Sequence, residues 1–116
     1  MTIITGSPLA TATNPQSLAI DTAGRYVYAA NVTTLNHVAV YGLTPSSGAL
    51  TLSGAPVPAG TLPTSIVIDP SGLFAYVAND NSNDVSVYAI GAVGALTPIN
   101  GSPFGAGNQP RAIAVY

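Results

Sequence analysis

The sequence predicts an all-β protein, a partial β-propeller of about two and a half four-stranded antiparallel blades, on the strength of three observations. The chain repeats itself: "IDTAGRYVYAANVTTLNHVAVYGL" at 20–43 returns as "IDPSGLFAYVANDNSNDVSVYAI" at 68–90. The repeat has the length of a blade, since Pro15, Pro63 and Pro110 are spaced by 48 and then 47 residues. A second proline, Pro8, Pro56 or Pro103, precedes each of these by seven residues. Finally, the apolar runs do not alternate. Ile66, Val67 and Ile68 are all apolar, as are Phe74, Ala75, Tyr76 and Val77, so these strands are expected to be covered on both faces. Four-stranded units stacked between two like units meet that requirement. A β-helix repeats at a shorter period per coil, and an immunoglobulin-type sandwich does not repeat its sequence.

Taken in chain order, residues 1–13 read as the end of a preceding blade, with a strand near Thr2 to Ile4. Residues 14–61 form the first complete blade, with strand A at Ser17 to Asp21, B at Tyr26 to Ala30, C at Val38 to Leu43 and D around Leu50 to Ser53. Residues 62–108 form the second, with A at Ser65 to Asp69, B at Leu73 to Ala78, C at Val85 to Ile90 and D around Leu96 to Ile99. Residues 109–116 add the inner strand of a third, Ala112 to Tyr116. The link "DPSG" makes a tight hairpin: Pro70 presets a negative φ and Gly72 accepts a positive one. Sheets apolar on both sides imply partners, either neighbouring blades of the same protein or other copies of the chain.

Charge narrows the function classes. The chain carries four Asp, two Arg, no Lys and no Glu, for a net charge of −2. Two arginines far apart in sequence make no phosphate-backbone footprint, so no nucleic-acid partner is expected. A basic membrane-surface helix is excluded on the same ground, and no apolar run of about 18 residues is present to suggest membrane insertion. Cysteine is absent, which removes disulfides, thiolate chemistry and cysteine metal sites. A polar complement of Ser, Thr, Asn and Gly in place of Lys and Glu fits a secreted, periplasmic or cell-surface parent protein. The start "MTIITGSPLATAT" lacks the charged and apolar regions of an export signal.

The run "PTSIVIDPSGLFAYVANDNSNDVSVYAI", followed by "GALTPINGSPFGAGNQPRAIAV", resembles the YVTN-type repeat of lactonase-like seven-bladed propellers, a family that includes one class of 6-phosphogluconolactonase. The motif stands as "YVAN" at 76–79 and in weaker form as "YAAN" at 28–31. The resemblance implies one of two functions. As part of a longer protein, the chain is a rigid interaction or ligand-binding scaffold for a small molecule or a protein; alternatively, it is part of a lactonase that opens a sugar-acid lactone. Related cycloisomerases of that fold use a His, Arg and Glu set. This sequence has no Glu, and no catalytic residue carries over.

Candidate sites follow from strand direction, which puts the D–A and B–C loops at one end of each blade. Arg111 opens an inner strand there and is a candidate contact for an anion or a lactone carboxylate. His37, the sole histidine, lies on the B–C loop and is a candidate ligand contact through an imidazole that titrates near neutrality. The run "NDNSND" at 79–84 resembles the first half of a calcium loop, but it lacks the glycine and the distal Glu that complete one, so no metal is expected. No cofactor motif is present. Asn31 and Asn79 recur at matching positions, which argues for a structural role in blade-to-blade hydrogen bonds. Asp21 and Asp69 are expected to accept backbone N–H bonds in the A–B turns.

Overall fold

In each repeat an Asp-X-X-Gly turn folds one apolar run back on the next. Gly24 N–H donates to Asp21 O and Gly72 N–H to Asp69 O, both at 2.9 Å, with φ of +69° and +75° at the two glycines. The Asp side chains finish the turns: Asp21 Oδ1 accepts from the backbone N–H of Arg25 and Tyr26, and Asp69 Oδ1 from Leu73 and Phe74. These hairpins seed two antiparallel sheets. The computed structural model describes Ile3, Pro8 and residues 14–32 and 36–114. Of the strand expected near Thr2 to Ile4, all but Ile3 lies outside the described residues, as do Val115 and Tyr116.

The first sheet runs β1 (Pro15–Ile20), β2 (Tyr26–Asn31), β3 (His37–Leu43) and β4 (Leu50–Leu52), with β5 (Val57–Pro58) also on β3. The second repeats it as β6 (Pro63–Ile68), β7 (Phe74–Asn79), β8 (Asp84–Ile90) and β9 (Leu96–Pro98), with β10 (Phe104–Gly105) also on β8. A single 3-10 turn, Ala92–Gly94, lies between β8 and β9. The protein is therefore all-β, with two sheets arranged as a partial propeller.

The outer strand differs from its expected form. It is broken in two: β4 pairs the far half of β3 and β5 the near half, at His37↔Pro58 and Val38↔Val57. The break falls at Ser53 to Pro56, where Gly54 takes a φ of +72° and Pro56 supplies no N–H. The second sheet breaks likewise at Ile99 to Pro103, with Gly101 at +89°. The recurring Gly-X-Pro triplets thus mark an interruption inside the outer strand rather than its end.

The other proline landmark also has a backbone cause. Each inner strand starts at its proline with a bulge, between Pro15 and Ser17 and between Pro63 and Ser65. The preceding residue is left-handed at all three sites: Asn14 at +53°, Leu62 at +59° and Gln109 at +51°. The carbonyls of Asn14 and Leu62 then accept Val32 N–H and Asp80 N–H, each at 2.9 Å. Ala112 to Ala114, the described part of the inner strand expected next, belong to no strand among the described residues.

The core lies between the sheets. Tyr28, Ala30, Val38 and Val40 from the first face Ile66, Ala75, Val77, Tyr88 and Leu96 from the second. A second cluster, Val27, Ala29, Ala39 and Tyr41, is buried on the opposite face of the first sheet. β2 is consequently buried on both faces from Val27 to Asn31, as its unbroken apolar run requires. β1 departs from that pattern: Leu18 and Ile20 pair with Ala29 and Val27 yet are 63% and 57% exposed, so they edge the second cluster rather than join it. Two tyrosines tie the sheets together. Tyr28 Oη donates to Gly94 O at 3.1 Å, and Tyr88 Oη to Pro58 O at 2.6 Å.

Candidate functional site

At the end where β6 begins and β7 ends, three segments converge: the link before β6, the β7–β8 turn and the stretch after β10. The backbone knits them together. Asn81 N–H donates to Thr61 O at 3.1 Å and Ala106 N–H to Asn83 O at 3.0 Å, while Gln109 N–H reaches the Asn83 side-chain oxygen at 2.7 Å. Gly60 permits the approach, because a Cβ there would lie 2.5 Å from Asn79 Nδ2 and 2.6 Å from Ser82 Oγ.

Beneath this surface runs a chain of polar side chains. Asn79, fully buried, donates through Nδ2 to Asp84 Oδ1 at 2.8 Å and to Ser86 Oγ at 2.9 Å. Ser82 Oγ donates to the same Asp84 oxygen at 3.0 Å and accepts Thr61 N–H at 3.0 Å. In the first sheet His37 stands in the register of Asp84, opposite Asn31. Its Nε2 lies 3.4 Å from Asn31 Nδ2, so it accepts from the amide when the ring proton is on Nδ1. Asn31 Nδ2 also donates to Ala29 O at 3.3 Å. Among the described residues the matched asparagines therefore bond within their own sheets and not between blades, in contrast to the expectation from their recurrence. A strand-end amide reaches its cross-strand partner before it reaches the next sheet. Asn31, in the triplet "NVT", is fully buried.

Arg111 has the more distinctive setting. Its Nε donates to Asp80 Oδ2 at 3.1 Å, and the arginine side chain is 71% exposed while that of Asp80 is 8% exposed. The single Thr64 hydroxyl proton is shared among the carbonyls of Arg111, Pro110 and Ala78, at 3.3, 3.4 and 3.5 Å. Asp80 Oδ1 and Asn79 Oδ1 are buried with no hydrogen-bond partner among the described residues. His37 opens β3 of the first sheet whereas Arg111 lies on the irregular stretch after β10, and no hydrogen bond or ion pair joins them among the described residues.

The repeat register shows what is special here. Asp80 follows Asn79 as Val32 follows Asn31, and Arg111 follows Pro110 as Thr64 follows Pro63. Backbone bonding confirms the first equivalence, since Val32 and Asp80 donate to Asn14 and Leu62 in the same way. One step earlier in the repeat, the positions of this ion pair thus hold a valine and a threonine. Sequence reasoning named Arg111 but missed Asp80. The departure from the repeat was the signal that would have found it.

Among the described residues no three His, Cys, Asp or Glu side chains gather. The carboxylates of 79–84 are spent separately, Asp80 on Arg111 and Asp84 on Ser82 and Asn79. At the opposite end Arg25 lies 3.9 Å from Asp21 and 5.8 Å from the centre of the Tyr26 ring, a solvated charge beside a shallow cleft.

With this geometry in place, comparison with known proteins fixes the family. The family model described as "Lactonase, 7-bladed beta-propeller" matches residues 2–112. The chain belongs to the seven-bladed β-propeller lactonase family. No curated protein sequence matches this lactonase-family chain significantly. Among solved structures, it is similar to a Bacteroides fragilis protein provisionally described as a 6-phosphogluconolactonase, with a TM-score of 0.76 and 26% identity over 82% of this chain and 26% of that one. A Bacteroides uniformis protein of the same description gives 0.73 and 26% identity, over 80% of this chain and 26% of that one. The periplasmic gluconolactonase of Pseudomonas aeruginosa gives 0.74 and 25% identity, over 87% and 29%. The chain spans between a quarter and a third of the length of these structures.

Proposed function

We propose that this chain supplies a ligand-contacting corner of a lactone-hydrolysing propeller, with Arg111 as the residue that meets the anionic part of the ligand. One observation carries the reading: the Asp80–Arg111 pair has no counterpart one step earlier in the repeat, where Val32 and Thr64 stand, and it leaves a guanidinium exposed at a loop end. A framework contact is expected to recur in every blade, whereas a ligand contact has to occur once. The similarity to 6-phosphogluconolactonases and a gluconolactonase supplies the ligand class, a sugar-acid lactone.

In such a reaction water adds to the ring carbonyl, the carbonyl oxygen becomes an oxyanion, and collapse expels the ring oxygen to give the open hydroxy acid. A preorganised guanidinium stabilises that charge, or a carboxylate or phosphate elsewhere on the ligand. Asp80 is committed to Arg111 and His37 to Asn31, so this segment's share is binding and charge stabilisation. A scaffold reading, in which the corner binds a ligand without turnover, is favoured by the lack of a gathered acid–base cluster among the described residues.

The test is hydrolysis of gluconolactone by the full chain and its Arg111→Gln variant, followed by proton release. The lactonase reading expects turnover, with kcat/KM at least about tenfold lower in the variant, the loss typical of a charged contact. Gluconate binding without hydrolysis would leave the scaffold reading. Hydrolysis that is indifferent to Arg111→Gln would remove Arg111 from either.

A further inference from the structure

Resting on that reading of Arg111, we infer that Asp80 is a positioning residue, one that fixes the guanidinium so that its two terminal amines face a ligand oxyanion. The argument begins with exposure. An arginine 71% open to solvent is ordinarily spread over many rotamers, and an isolated surface ion pair does little to hold it. Here the partner is not on the surface. The Asp80 side chain is 8% exposed, and its backbone N–H is fixed to Leu62 O at 2.9 Å, so the carboxylate is a stationary anchor.

The point of attachment matters as much as the anchor. Asp80 takes the Nε of Arg111, at 3.1 Å, and not the end of the fork. The two Nη groups meet no acceptor among the described residues. A guanidinium gripped at Nε keeps one edge for the protein and leaves the other donors for a planar, two-oxygen acceptor. The Thr64 hydroxyl, with one proton to give, lies within reach of the Arg111 and Pro110 carbonyls at 3.3 and 3.4 Å, a backbone contact separate from the side-chain grip. The ligand class is a small oxyanion, a carboxylate or a phosphate of the kind a sugar acid carries. One step earlier in the repeat Val32 stands at Asp80's place and Thr64 at Arg111's, a pair with no charge to make such a grip.

Bulk electrostatics predicts the opposite sign from positioning, which makes the inference testable. Removing a carboxylate beside a guanidinium raises the local positive potential, which tightens anion binding if charge alone matters. If Asp80 positions the fork, Asp80→Asn weakens binding instead, because the ligand must then order a rotamer-rich side chain. That cost corresponds to about a two- to tenfold rise in Kd. The experiment is calorimetric titration of the full chain with gluconate and, separately, with inorganic phosphate, on the native protein, Asp80→Asn, Arg111→Gln, Arg111→Lys and Asp80→Asn/Arg111→Lys.

The expected pattern has four parts. Arg111→Gln abolishes binding, and Asp80→Asn weakens it. Asp80→Asn has no further effect once Arg111→Lys has removed Nε. The Arg111 Nε–H resonance, sharp in the native protein, exchanges out in Asp80→Asn. The relative affinities of gluconate and phosphate identify which oxyanion the fork prefers, and preference for either supports the inference. Unchanged or tighter binding in Asp80→Asn overturns it while leaving Arg111 as the contact. Binding indifferent to Arg111→Gln overturns both. If Asp80→Asn does not fold, the native protein and Arg111→Lys carry the test: affinity equal to native in Arg111→Lys, or an Arg111 Nε–H that exchanges freely in the native protein, would refute the grip.

Discussion

Removing one oxygen from Tyr28 tests the docking of the two sheets. Tyr28 Oη donates to Gly94 O at 3.1 Å across 66 residues of chain, and both residues are buried. Tyr28→Phe leaves the ring in the inter-sheet core and strands a carbonyl that water reaches poorly. The lost hydrogen bond and the unsatisfied acceptor together are expected to cost about 1–2 kcal/mol. Tyr88 makes the reciprocal contact to Pro58 O at 2.6 Å, but Pro58 is exposed and water can replace the donor. Tyr88→Phe is therefore expected to cost less, about 0.5–1 kcal/mol. The repeat supplies its own controls: Tyr76 and Tyr41 occupy the matching positions in the other unit, and their hydroxyls make no hydrogen bond to the described residues. Tyr76→Phe and Tyr41→Phe should fall within about 0.5 kcal/mol of native. Urea melts followed by circular dichroism give the order, as falls in midpoint at constant slope. In a domain of this size about 1 kcal/mol is a shift of roughly 4–8 °C in Tm. Four equal losses, or a neutral Tyr28→Phe, would refute the claim that these hydroxyls join the sheets.

Two pH predictions follow from the same contacts. Burial pushes the Tyr28 hydroxyl up to about 12 and also raises those of Tyr41 and Tyr88 above the ordinary value of 10.0. A raised folded pKa contributes stability that is intact below pH 10 and is lost as pH rises through the folded value. Absorbance at about 295 nm should show these three phenols ionising late, and Tyr28→Phe should delete the latest step; a single early transition for all tyrosines would contradict the burial. Asp69 is shifted the other way. The Ser71 hydroxyl first, and the Phe74 backbone N–H next, hold its carboxyl below the usual 3.8. Its contribution is present above that value and fades as pH falls through the lower folded one. Asp69→Asn should therefore flatten the acid limb of the stability curve, and an unchanged acid midpoint would remove the turn as its cause.

Much of this frame was legible because it is local and said twice. Asp21 with Gly24 and Asp69 with Gly72 specify hairpins within five residues, and the strands between them came out within two residues of their expected ends. What escaped prediction depends on distance or on brevity. β5 and β10 are two-residue ladders behind a Gly-X-Pro break, too short for any period to register. Leu18 and Ile20 are as apolar as the buried residues across from them, and their exposure is set by packing that the pattern does not encode. At the candidate site, Arg111 was named from its place at the opening of an expected inner strand. Its partner lies 31 residues back on a different loop, and a polar run such as "NDNSND" gives no hint which carboxylate is committed to a cation.

A repeat protein offers a way to separate framework from function that a single-copy fold does not. Each position has a counterpart held in nearly the same backbone setting, so a difference between counterparts reports on something other than the backbone. Asn31 and Asn79, and Asp21 and Asp69, are kept, and their contacts are the ones that join neighbouring strands or cap a turn. Val32 against Asp80 and Thr64 against Arg111 are not kept, and the two changes meet in one ion pair. A lone buried carboxylate would destabilise the fold, so Asp80 is tolerable only with a cation beside it. The matching place in the first repeat holds a valine, Val32, which needs no such partner. A pair that brings desolvation cost, leaves Asp80 Oδ1 without a partner among the described residues and turns the donors of an arginine outward is poorly explained by stability alone. The ligand contact proposed for Arg111 would account for it.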